Sequence, residues 1–133
     1  MKRFIETWKV NNFINLALLE CIEEDHFNDQ SLQKNERLIE QFMHMHQVRM
    51  LWLGQNNPEL VVELAGAFPQ RFHKQSLLDA LSKSGEAMTK MIENKFREGK
   101  INGFKTPIEF LNYIVSYESQ SRNRIVLMIG FAN

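Results

Sequence analysis

Apolar residues in this chain recur at spacings of three and four, with no sustained alternation at period two, so the pattern predicts helices rather than a sheet. The last such stretch is the clearest. Phe110, Ile114, Tyr117, Ser121, Ile125 and Met128 fall on one helical stripe, which should face a core and carry two hydroxyls into it. Its start is marked by Thr106 as N-cap, Pro107 at the first helical position and Glu109 three residues after the cap. A first helix is expected from about Phe4 to Glu24, with Phe4, Trp8, Asn11 or Asn12, Ile14, Leu18 and Cys21 or Ile22 inward. The acidic stretch Glu23 to Asp29 then reads as a loop.

A second helix is expected to begin near Ser31 or Asn35, to turn Leu38, Phe42, Met45, Val48 and Trp52 inward, and to stop at Gly54. Pro58 opens a short helix, Glu59 to Ala65, closed by Gly66. A third long helix spans Lys74 to Glu98 and ends at Gly99, with Leu77, Leu78, Leu81, Met88, Met91, Ile92 and Phe96 on its apolar face. Gly85 within it costs about 1 kcal/mol relative to alanine and marks a close helix contact. Four long amphipathic helices predict an all-α fold, a four-helix bundle with a short extra helix between helices two and three. The longer link there permits a crossover rather than a simple hairpin.

The chain of 133 residues is read as one domain, 1–133. A formal net charge of zero gives no electrostatic footprint for nucleic acid or an anionic membrane. The basic residues Lys95, Arg97, Lys100, Lys105, Arg122 and Arg124 are interleaved with acids and read as solvated helix faces. Neither a signal peptide nor an apolar run of the ~20 residues needed to cross a bilayer is evident, so a cytoplasmic protein is expected. The single cysteine, Cys21, suits a reducing compartment and reads as a buried small hydrophobe.

His26 in the acidic loop and His73 before the third long helix read as surface side chains. His44 and His46 lie about 200° apart around the second helix and cannot face one site together; periodicity does not decide which points inward. Glu118 reads as turned toward a neighbouring helix, pairing with Arg122 on the surface at i,i+4. A rotated final helix would bring Glu118 inward at the expense of Ile114 and Ile125.

Phe42-Met-His-Met-His-Gln-Val-Arg-Met-Leu-Trp-Leu53 resembles the second-helix segment of one branch of the DinB/YfiT family of four-helix-bundle proteins, with its Phe-x-His-x-His-Asn-Val-Arg-x-x-Trp-Leu pattern. The final helix resembles the family's last one, where a His-x-x-x-His pair precedes Arg-Gly-Gln-Ile; here the matching residues are Tyr117 and Ser121, then Arg122-Asn-Arg-Ile125. The likeness runs from about residue 10 to 130, through Leu77–Leu81 and Gly103–Lys105. It implies a metal site whose first ligand position is His44 and whose other two are occupied by alcohols, which are poor ligands. The resemblance therefore implies a non-catalytic protein without metal or other cofactor, with a small-molecule pocket at His44, Tyr117 and Ser121. The alternative is a metal-dependent thiol transferase or hydrolase that uses His44 and non-standard ligands, with Glu118 or a partner subunit completing the shell around zinc or nickel. The resemblance also implies a homodimer.

Overall fold

A computed structural model of the protein describes residues 1–30, 36–64 and 73–132. The described residues form five α-helices and no strand: α1 Lys2–Cys21, α2 Leu38–Asn56, α3 Pro58–Glu63, α4 Lys74–Glu98 and α5 Pro107–Ala132, with a single 3-10 turn at Glu24–His26. The fold is all-α.

Local chemistry explains most boundaries. The Thr106 hydroxyl accepts from the Glu109 amide at 3.2 Å and Pro107 opens α5. Gly99 closes α4 in the left-handed region at φ 75°. Helix α2 runs past Gly54 to Asn56, where Pro58 starts α3. Its first residue is Leu38, later than either expected start; Ser31 and Asn35, like Ala65 and Gly66, lie outside the described residues. His73 is exposed and caps α4, its Nδ1 accepting from the Ser76 amide at 3.3 Å. His26 is not simply solvated: its Nδ1 sits 2.7 Å from the Asp29 carboxylate, whose hydrogen bond raises the imidazole pKa.

Each of α1 and α2 packs on both α4 and α5. The core divides into two apolar clusters. One gathers Ile5 and Trp8 of α1, Leu53 of α2, Met88 and Met91 of α4, and Phe110 and Ile114 of α5. The other gathers Leu19 and Ile22, Leu38 and Phe42, Leu77 and Leu81, and Ile125 and Met128. The first cluster therefore takes the start of α1 and α5 and the end of α2 and α4. Helices α1 and α5 run one way and α2 and α4 the other.

Two inward assignments on α1 are corrected. Ile14 is 43% exposed and Cys21 is exposed, while Asn15 and Leu19 are fully buried. The buried stripe Ile5, Trp8, Asn11, Asn15, Leu19 keeps Trp8 and Asn11 of the expected one and departs after Asn11 by taking Asn15 in place of Ile14, an asparagine that a hydrophobic count places outside.

Candidate functional site

Between the two apolar clusters lies a polar layer to which all four long helices contribute. Its centre is an ion pair of Arg49 on α2 and Glu118 on α5, both 0% exposed. The Nε and Nη2 edge of Arg49 grips the carboxylate side-on, at 2.8 Å to each oxygen. Nη1 donates to the Leu81 carbonyl at 3.0 Å and the Ser84 hydroxyl at 3.1 Å, and Nη2 also to the Asn12 carbonyl oxygen at 2.9 Å. All five guanidinium protons have acceptors. The Trp8 ring lies under the guanidinium, 4.9 Å from its carbon, and donates through Nε1 to the Gly85 carbonyl at 3.0 Å.

Glu118 accepts four hydrogen bonds, three on Oε1 and one on Oε2. Its Oε1 also accepts from the Asn11 and Asn15 amides at 2.9 and 2.8 Å. The carbonyl oxygens of those asparagines in turn accept from Arg122 Nη1 at 2.8 and 2.6 Å. The expected surface pairing of Glu118 with Arg122 is thus replaced by a buried one with Arg49. No helix rotation accompanies it: Ile114 and Ile125 remain 0% exposed. Position 118 lies four residues after Ile114 and seven before Ile125, so the carboxylate belongs to the apolar stripe itself.

Gly85 has the role its position suggested. A Cβ there would stand 2.3 Å from the Asn12 amide nitrogen, so α1 and α4 meet where one lacks a side chain and the other contributes a ligand of Arg49.

The three positions that the resemblance marks as ligands are distributed differently. His44 is exposed, whereas His46, on the other side of α2, is 0% exposed. Burial, and then the charge of Arg49, hold the His46 imidazole down to about 4. Ser121 is 2% exposed and donates to the Tyr117 carbonyl at 3.1 Å. Burial pushes the half-buried Tyr117 phenol above its ordinary value, against the opposing pull of the Ser121 hydroxyl. Tyr117 and Ser121 are therefore adjacent, and His44 stands on the rim.

A metal ion is a poor match for these groups. The Tyr117 phenol is harder than usual to deprotonate, Ser121 spends its proton on a backbone carbonyl, and the rescuing carboxylate of Glu118 is held on both oxygens by Arg49. No group of three His, Cys, Asp or Glu side chains placed to hold a metal occurs among the described residues. None of their helices is long and apolar enough to cross a membrane.

The sequence reading turned Asn11 or Asn12 inward but missed Arg49, Asn15 and Ser84. A signal was present: Arg49 stands four residues from both Met45 and Leu53, each 0% exposed, and Glu118 occupies the matching place on α5. Opposite charges each embedded in an apolar stripe point to each other. No family model, curated protein or solved structure matches the chain.

Proposed function

We propose that this chain is a DinB/YfiT-like four-helix-bundle protein that works by binding a small molecule rather than by metal-dependent catalysis. The observation that carries the reading is the engagement of Glu118, the carboxylate nearest the positions that the resemblance marks as ligands: both of its oxygens are held by Arg49 and Oε1 also by Asn11 and Asn15, so an ion would have to displace a buried guanidinium. The course of the helices, α1 and α5 one way and α2 and α4 the other, supports the bundle assignment.

The binding surface is the α2–α5 edge around His44, Tyr117 and Ser121. Trp52 on α2 packs edge-on against Tyr113 of α5 at 5.9 Å, and Tyr113 stacks with Tyr117 at 6.4 Å. Trp52, Val48 and His44 follow one another at four-residue spacing on α2, which runs antiparallel to α5, so His44 continues the column toward Ser121. An aromatic wall ending in an imidazole and two hydroxyls suits a neutral, partly polar ligand. By the same resemblance the protein is a homodimer, and its single cysteine suits a reducing compartment such as the cytoplasm.

Metal content decides between this reading and a metal-dependent transferase or hydrolase. Protein purified from zinc- and nickel-supplemented medium should carry far less than one ion per chain, and neither ion should raise its melting temperature. One zinc per chain, lost in His44→Ala, would overturn the proposal and favour the enzyme.

A further inference from the structure

The polar layer holds two guanidinium groups, Arg49 and Arg122, against a single carboxylate, Glu118, an excess of one positive charge (2 − 1). The two cations are treated unequally. Arg49 uses its Nε–Nη2 edge to hold a carboxylate side-on. Arg122 spends Nη1 on Asn11 and Asn15, and the same Nε–Nη2 edge has no acceptor among the described residues. Arg122 is half-buried, and burial ahead of the neighbouring charges lowers its pKa. A desolvated guanidinium with an unfilled fork is an incomplete anion site.

Arg122 lines an open groove of about 460 Å³ between α1 and α5, on a different side of α5 from Tyr117 and Ser121. Val10, Ile14 and Val115 give the groove apolar walls, with Thr7 and Arg3 toward the start of α1. Val10 and Ile14 are 56% and 43% exposed. Glu6, the groove's carboxylate, is exposed on the rim, and no ion pair joins it to Arg122 among the described residues.

We propose that this groove binds a small monocarboxylate with an apolar tail, the carboxylate held side-on by Nε and Nη2 of Arg122 and the tail laid along Val10, Ile14 and Val115. The groove lining carries Arg3 and Arg122 against Glu6, one net positive charge (2 − 1), which suits a monoanion, and the fork geometry, already used by Arg49 on Glu118, selects a planar one. The site is independent of the α2–α5 edge and of its ligand.

Calorimetric titration with sodium decanoate, decanol and sodium acetate tests the assignment. Decanoate below its micelle concentration should bind one per chain, decanol at least about tenfold more weakly, and acetate without saturation. Arg122→Gln should weaken decanoate by at least about tenfold. Because Arg122 also braces Asn11 and Asn15, Ile14→Glu provides a second variant, placing a like charge on the exposed groove wall while leaving the polar layer intact; it should cause a similar loss. Absence of decanoate binding, equal affinity for decanol, or unchanged affinity in Ile14→Glu would overturn the proposal. So would sedimentation showing a second copy covering the groove, with Ile14→Glu returning the protein to a monomer.

Discussion

The ends of this protein and its middle are held by opposite chemistry. At each end, leucine, isoleucine, methionine and aromatic side chains from all four long helices close on one another, and their contribution scales with the area they remove from water. In the middle, Arg49 and Glu118 replace two residues that would have made the core continuous, and their hydrogen bonds do not make that substitution favourable by themselves. Removing both charges from water costs several kcal/mol per ion, and the pair with its asparagine and serine partners roughly offsets that loss. What the layer supplies is register: each bond in it joins specified atoms on different helices, whereas an apolar contact tolerates sliding.

The sharpest way to break the comparison is to remove one charge. Glu118→Gln or Arg49→Met leaves the other ion buried without its counter-charge and should destabilise by about 3–5 kcal/mol. The double variant Arg49→Met with Glu118→Leu should recover most of that loss, since an apolar pair of similar volume is often neutral or stabilising. Leu53→Ala in the first cluster should cost about 2–5 kcal/mol, as does any large buried truncation, with no partner change that restores it. Urea unfolding of the four variants checks the pattern. A double variant as unstable as the worse single one would mean that the layer stabilises outright.

The same contrast explains what was legible in the sequence. Stripes such as Phe110, Ile114, Ile125 and Met128, the limits of α4, the Thr106 cap and the close approach at Gly85 all follow from local rules that hydrophobic spacing expresses directly. Of the polar layer, those rules turned Asn11 or Asn12 inward; the rest was not legible by them, because they assign charged residues to the outside. Tyr117 and Ser121 were placed on the inward stripe correctly as a direction, yet the residue between them in the helical net, Glu118, is the one at the centre. Cys21 failed for the complementary reason: an apolar side chain near a helix end has no neighbour to cover it once α1 turns its asparagines inward.

A second test uses pH. The His46 imidazole, buried beside the layer, has its pKa lowered from 6.5 to about 4. The folded protein therefore keeps it neutral where the unfolded chain takes up a proton, so stability falls as pH drops from 6.5 toward 4. The loss is on the order of 3 kcal/mol over that window. His26 works in the other direction: its raised pKa gives stability that is complete below 6.5 and is lost as pH rises through the higher folded value. The difference between the wild type and His46→Leu across pH 4 to 7 isolates the first effect, and it should grow as the solution becomes more acid. Parallel curves for the two proteins would show that His46 does not titrate against the fold.

The smallest expected effect probes how closely the layer is fitted. Gly85→Ala ordinarily favours a helix by about 1 kcal/mol. Here the new methyl group meets the Asn12 side chain at 2.3 to 2.8 Å, and the carbonyl oxygen of that side chain is an acceptor for Arg49. Asn12 must therefore swing away, leaving one Arg49 proton without an acceptor, or α1 must lift from α4. Either response should cost about 1–3 kcal/mol net, the range for overpacking in a tight interior. Truncating the neighbour supplies the control: in Asn12→Ala the Arg49 acceptor is already gone, so adding Gly85→Ala should cost much less than it does in the wild type. A non-additive double variant of that kind places the strain at the α1–α4 crossing. Additive losses would instead locate it in the backbone of α4.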